Sequence, residues 1–246
     1  MDRMIYTAMT GAKHILEQQA TTAHNLANAT STGFKAQVDS FRAVPVISEG
    51  LSTRAFVVDA TVGADFNPGP IQATNRDLDV AIQGKGWLVV KRADGSEGYT
   101  RNGSLKVSEN GLLQTESGLS VMGDGGPISI PPDVAITIAK DGTISSVSNG
   151  TLPGPPNSIG RLKLVNPPEA KLVRSEDGLF VTNNGSPAEA DSEVNVVSGA
   201  LESSNVNVID TMVNMISLAR QFETQMKLLQ SAENNANKAS QIFSMG

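Results

Sequence analysis

Residues 207–246 read NVIDTMVNMISLARQFETQMKLLQSAENNANKASQIFSMG. Val208, Met212, Met215, Ala219, Phe222, Met226, Leu229, Glu233, Ala236, Ser240 and Phe243 succeed one another at alternating steps of four and three. That rhythm places them on one side of an α-helix, as a heptad seam. Asn207 is suited to cap the start, and Asp210 in the first turn is favoured by the helix dipole. Over this length the helix is about 55 Å long. The seam turns polar from Glu233 onward, which predicts contacts beyond a single intramolecular partner.

The opposite end carries the same signal. Ile5, Met9, Ala12, Leu16, Gln19, Ala23 and Leu26 keep the four-three rhythm, with Gln19 the one polar position. A helix over about residues 3–29 follows. Thr30, Ser31, Thr32 and then Gly33 mark its end. Each seam needs an apolar partner, and pairing with the other is the simplest solution.

Between the helices the period changes to two. Leu78–Ile82, Trp87–Arg92, Leu105–Val107, Leu112–Gln114, Val134–Ile138, Arg161–Val165 and Leu179–Val181 are candidate strands. Asp94-Gly95, Asn102-Gly103, Asn110-Gly111, Asp141-Gly142, Asp177-Gly178 and Asn184-Gly185 are turn signals. The expected class is α+β: terminal helices paired in a coiled-coil-like axial domain, around an antiparallel all-β central module. The expected segments are a helix at 1–32, an extended arm with β segments at 33–83, a β-rich module at 84–185, a return segment at 186–206 and a helix at 207–246. Asn149 to Asn157, NGTLPGPPN, is expected to be an exposed loop.

Composition narrows the function. The chain has 246 residues, of which 39% are hydrophobic, 4% aromatic and 18% charged. That is thin for one compact globule and fits a chain that buries surface against other copies. The net charge of −6 argues against nucleic acid, which needs clustered Lys and Arg. Residues 1–29 and 207–246 each sum to zero, so the acidic excess lies between them. Neutral ends can pack without self-repulsion. There is no cysteine, hence no disulfide or thiol chemistry. No apolar run approaches the ~20 residues of a membrane helix, no lipid anchor is expected, and the N-terminus lacks the layout of a cleavable leader.

No catalytic, cofactor-binding or metal-binding set emerges. His14 and His24 are the only histidines and lie on different helical faces; they are expected to be surface or interface residues. Asp77 and Asp79 have strand spacing and could hold a cation or serve acid–base chemistry, but alternation with Leu78 and Val80 explains them as well. Gly84-Lys85-Gly86 precedes no helix, so it is a tight turn rather than a phosphate cradle.

Five segments resemble the axial proteins of the bacterial flagellum. His24-Asn25-Leu26-Ala27-Asn28, with Thr30 to Gly33-Phe34-Lys35, is similar to the family's N-N-L-A-N and T-x-G-[FY]-[KR] signature, with His24 where Asn is commoner. Asp77-Leu78-Asp79-Val80-Ala81-Ile82 followed by Gly84-Lys85-Gly86-Trp87 resembles L-D-[LV]-A-I-x-G-x-G-[FW]. Tyr99-Thr100-Arg101-Asn102-Gly103 resembles Y-T-R-[DN]-G. Gly199 through Glu202 to Ser204-Asn205-Val206 resembles G-x-L-E-x-S-N-V, and Met212-Val213-Asn214-Met215-Ile216 resembles M-[VT]-x-[ML]-I. Within the family, Met1–Met9 and Ile216–Glu223 are similar to basal-body rod proteins of the proximal rod, with distal-rod members the alternative.

The resemblance implies a structural subunit rather than an enzyme. It implies self-stacking, with inner proximal-rod and distal-rod proteins as neighbours, and uncleaved passage through the flagellar type III export apparatus. The terminal helices would form an inner tube in the periplasm, with the β module outside. A heterologous contact repeated by rotation and rise would build the shaft. A peptidoglycan-cleaving enzyme is the competitor from another class, since a rod must cross the wall, but no acidic pair flanking a cleft is evident. A surface adhesin with a β head on a helical stalk would need an anchor or leader that the sequence does not show.

Overall fold

The computed structural model describes residues 2–45, 55–132, 134–148 and 157–244. The chain is α+β. Helix α1 spans Asp2–Ala27 and helix α2 spans Val208–Ser244. Between them run β1 (Gln37–Pro45), β2 (Ala55–Ala64), β3 (Ile71–Ala73), β4 (Val80–Gln83), β5 (Trp87–Lys91) and β6 (Glu97–Thr100). They are followed by β7 (Leu105–Val107), β8 (Leu113–Thr115), β9 (Ser120–Gly123), β10 (Gly126–Pro127), β11 (Val134–Ile138) and β12 (Thr143–Ser148). The last six are β13 (Asn157–Arg161), β14 (Leu164–Val165), β15 (Leu172–Arg174), β16 (Phe180–Thr182), β17 (Asn195–Ser198) and β18 (Ala200–Glu202).

Every strand pair is antiparallel. The main sheet runs β15-β16-β6-β5-β9-β8-β7, with β10 on β9 and β14 on β5. A second sheet is β11-β12-β13, and β4 pairs β17 while β3 pairs β18. These last two pairings join residues more than a hundred positions apart, such as Ile82 to Val196 and Ile71 to Glu202.

Two compact units result. The helical unit comprises Met1–Ala29, Ala36–Asp65 and Val206–Gly246; the β-rich unit comprises Thr30–Lys35 and Phe66–Asn205. The β-rich unit owns a continuous apolar core. Val80, Ile82, Leu88, Val90, Leu105, Leu113, Val121, Ile144, Leu162 and Leu164 are buried in it. Strands β4 and β5 are buried at nearly every position, as expected of strands covered on both faces rather than alternating.

Residues 33–83, expected as an extended arm with β segments, contain a long hairpin within the helical unit. β1 and β2 pair from Gln37–Ala64 to Pro45–Ala55, with an irregularity between Ser40 and Phe41. The hairpin is tied to α1 by polar contacts. The Asn25 amide donates to the Gln37 carbonyl and accepts from the Gln37 N–H, both at 2.8 Å. Thr21 donates to Asp39 at 2.8 Å. A two-stranded hairpin is marginal by itself, and these bonds supply part of what it lacks. Of the expected 149–157 loop, only Asn157 lies among the described residues, where it opens β13.

Candidate functional site

Two features of the structure bear on function. One is the surface of the helices and the other is a buried ionic cluster. Both are built from residues in the segments singled out above.

α2 begins as its cap predicts. The Asn207 side-chain oxygen accepts from the Ile209 N–H at 3.0 Å and the Asp210 N–H at 3.4 Å, satisfying two orphan donors of the first turn. α1 ends where Asn28 turns back, its backbone and side-chain amides both donating to the His24 carbonyl. α1 and α2 touch within the helical unit. Ile5 shares a groove with Phe222, Met226 and Leu229.

The least exposed positions in α1 include Ile5, Ala8, Ala12, Ile15, Gln19, Thr22 and Leu26; those in α2 include Thr211, Met215, Leu218, Phe222, Gln225, Leu229 and Ala232. Of the predicted seam, Ala12 is buried, while Ile5, Leu26, Met215, Ala219, Phe222 and Leu229 are half-buried. Met9, Leu16, Ala23, Val208, Met212 and Met226 are exposed. Apolar residues thus stand open on both helices. On α1 these are Tyr6, Met9 and Leu16; on the first three turns of α2 they are Val208, Ile209, Met212, Val213 and Ile216, each 40–73% exposed. Exposed apolar residues gathered along a helix in this way are typical of surfaces that other proteins cover.

The ionic cluster lies inside the β-rich unit. Glu202, at the end of β18, is fully buried. Lys35 donates to its Oε1 at 2.6 Å, and the Gly69 N–H to the same oxygen at 2.9 Å. Arg101 donates to Oε2 at 2.9 Å. Lys35 also donates to the Asn67 carbonyl at 2.8 Å, and Arg101 to the Gly84 carbonyl at 2.7 Å. The Arg101 guanidinium lies over the Trp87 ring, 5.4 Å from its centroid. Trp87 is in turn packed by Phe66 and Phe180, at 5.8 and 4.7 Å between centroids.

Most of the predicted motif residues converge here. Gly33 takes a positive φ of 68°, and its N–H donates to the Glu202 carbonyl at 2.7 Å. A Cβ there would collide with the Arg101 main chain, so glycine is required. The Phe34 carbonyl accepts from the Asn205 N–H at 3.3 Å. The Phe34 ring lies beneath the Arg174 guanidinium, 4.7 Å from its centroid. Burial lowers the Arg174 pKa. Gly84 and Gly86 shape the turn from β4 to β5, Gly86 against the Val194 side chain. Ser204 is buried, and the Asn205 amide donates to the Asn67 carbonyl at 3.1 Å. Asn25, Leu26, Ala27, Asn28 and Val206 belong to the helical unit instead.

Lys35, Arg101 and Glu202 were absent from the predicted functional set. Each is a charged residue inside a motif of glycine, apolar and small polar neighbours, and that is the signal that could have found them. The two carboxylates weighed for chemistry part company. Asp77 is exposed, whereas Asp79 is buried and neither of its oxygens has a hydrogen-bond partner. Its nearest cation is Arg76, Nε to Oδ1 at 3.6 Å. His14 sits 3.0 Å from Glu17 and edge-on to the Phe41 ring. Among the described residues no cluster of three or more His, Asp or Glu could hold a metal ion, and no helix is long and apolar enough to cross a membrane.

Comparison with known proteins gives this arrangement a family. Residues 81–146 match the flagellar hook protein FlgE/F/G D1 domain, and residues 197–242 match the flagellar basal body rod FlgEFG protein C-terminal family. The flagellar basal-body rod protein FlgF of Salmonella typhimurium is 49% identical over 251 positions, covering the whole of both chains. FlgF of Escherichia coli is 48% identical, again over the whole of both chains. FlgG of Borreliella burgdorferi is 29% identical, covering 95% of this chain and 96% of its own. The chain belongs to the FlgF family of flagellar basal-body rod proteins.

Proposed function

We propose that this chain is a structural subunit of the bacterial flagellar basal-body rod, in its proximal part, and that it performs no catalysis. The observation that carries the proposal is the open apolar surface on helices of zero net charge, in a chain similar to FlgF over its full length. Such a surface is satisfied by other copies and by neighbouring rod proteins. α1 and α2 pair in a coiled-coil-like axial domain and stack helically around the export channel. The segments 33–83, 84–185 and 186–206 then serve as arm, outer module and return. The subunit leaves the cytoplasm uncleaved through the type III export apparatus and acts in the periplasm, transmitting torque.

A place in the distal rod has weaker support, since the FlgG relatives are 29–31% identical, against 48–49% for FlgF of Salmonella typhimurium and Escherichia coli and 31–34% for other FlgF relatives. A wall-cleaving activity is disfavoured by Asp79, which is too deeply buried to meet a glycan.

Ile209→Asp and Met212→Asp test the proposal. Each sets a charge on the open face without touching the β core. Cells carrying either variant are expected to secrete the subunit, build no rod and lose motility. Normal rods and swimming in both would refute it.

A further inference from the structure

We infer that Lys35, Arg101 and Glu202 form a mechanical clamp, which holds the connecting segments of the chain inside the β-rich unit against load. The inference rests on the rod proposal for the source of that load, but the clamp itself is a property of the isolated chain.

Connectivity gives the first reason. The chain passes between its two units four times, after Ala29, Lys35, Asp65 and Asn205. Any force carried along the chain from one unit to the other runs through these junctions. The β-rich side of each passage consists of Thr30–Lys35, the segment beginning at Phe66, or the segment ending at Asn205.

These segments have little ladder to hold them. Residues 66–70 and 203–204 carry no regular secondary structure, and residues 30–35 are turns and coil. Their backbone groups must find partners elsewhere, and they find them at one carboxylate and its neighbours. Glu202 holds Lys35 and the Gly69 N–H on one oxygen and Arg101 on the other. Its own carbonyl holds the Gly33 N–H. Around it, Asn67 accepts from both Lys35 and Asn205, Pro70 accepts from the Ser203 N–H, and Lys35 accepts from Arg174 at 2.9 Å. Segments 33–35, 67–70 and 202–205 are thereby bonded to one another, and Arg101 and Gly84 bond them to the sheet.

The chemistry gives the second reason. Burying two cations and a carboxylate is a poor way to gain stability, and an apolar cluster of equal volume commonly does as well. What charged hydrogen bonds add is direction and short range. Apolar side chains slide over one another with little loss, whereas short, directed bonds to one shared carboxylate lose strength with any small displacement of the segments that make them. A segment that has to bear load without creeping calls for the second arrangement.

Native-state hydrogen exchange on the full-length monomer tests the clamp directly. The Gly33 and Gly69 amides are expected to exchange as slowly as Val90 of β5. In a K35M/E202Q double variant, which removes the ion pair while keeping similar volumes, both are expected to exchange at least tenfold faster, with Val90 changing less. In an optical trap holding the full chain by its ends, the force that unfolds the β-rich unit is expected to fall in the same variant. Should the double variant fail to fold, R101K takes its place, losing the paired fork but keeping the charge. Gly33 and Gly69 exchanging like exposed turn amides in the wild type would overturn the clamp, as would an unchanged unfolding force in a folded variant. None of these readouts uses an assembled rod. Failure of the clamp therefore leaves the rod proposal standing, and normal rods in the Ile209 and Met212 variants, which would refute the rod proposal, would leave the clamp standing.

Discussion

Helix α2 and strand β5 handle apolar residues in opposite ways. In β5, Trp87, Leu88, Val89 and Val90 are all buried, none more than 4% exposed. Among the described side chains of α2 only Ala232 is buried, although Ile209, Met212, Val213 and Ile216 are just as apolar as the β5 residues. The β-rich unit has finished its core inside one chain. The helical unit has not, because a single helical neighbour covers only one stripe of a helix and leaves the rest facing water. A monomer can keep its fold through the first unit and its capacity to assemble through the second.

The largest effect should come from breaking the finished unit at its charged centre. Glu202→Ala leaves Lys35 and Arg101 buried without their carboxylate, at a cost of about 3–5 kcal/mol. Urea unfolding followed through Trp87, the only tryptophan, should show the midpoint collapse. A smaller but cleaner contrast pairs Leu113→Ala with Met212→Ala. Leu113 is fully buried, and its truncation should cost about 3 kcal/mol. Met212 is about half exposed, and its truncation should stay within about 0.5 kcal/mol in the monomer while weakening assembly. Equal losses in the two variants would erase the distinction between the units.

Asn207→Ala removes the α2 cap and should cost the helical unit about 1 kcal/mol, visible as lost helical circular dichroism, with the Trp87 transition unmoved. The smallest effect is expected at the rim of the β-rich unit, where Arg92 donates to Asp177 at 2.7 Å. Burial pushes the Asp177 carboxyl up, but the Arg92 guanidinium and the Leu179 N–H together hold it below its ordinary value. Its folded pKa is therefore depressed. The stability it contributes is complete above the unfolded carboxylate value of about 4 and is lost as pH falls through the lower folded value. The gap in melting temperature between wild type and Arg92→Gln should be present at pH 7 and shrink under acid or high salt. A gap that widens under acid would contradict this sign.

The sequence reveals what is local. Heptad spacing and Asn207 predict the helix over 207–246 that appears as α2 at Val208–Ser244, and the polar run ending in Gly33 closes the helix expected over about 3–29, which ends at Ala27. Asp94-Gly95, Asp141-Gly142, Asp177-Gly178 and Asn184-Gly185 all have their glycine at positive φ. What stays hidden is what distance decides. Alternation marks β4 as a strand but cannot say that it pairs with β17, because period two carries no information about a partner 114 residues away, as in Ile82 with Val196. The β1–β2 hairpin hides for a related reason. Its strands read as an arm because each pairs only with the other and the Asn25 and Thr21 anchors lie back in α1. The ionic cluster is hidden most deeply. Lys35 and Glu202 meet across 167 residues, and Arg101 and Glu202 across 101, each within a separate motif.

The division between a finished and an unfinished unit is tested most directly by hydrogen exchange, compared between dilute monomer and assembled rod. In the monomer, amides of β4 and β5 should be strongly protected and those of residues 208–229 weakly so, because the helix relies on partners for much of its stability. On assembly, protection across 208–229 should rise by at least a hundredfold, with β4 and β5 nearly unchanged. Helical amides already as protected as Val90 in the free monomer, with no gain in the rod, would contradict it.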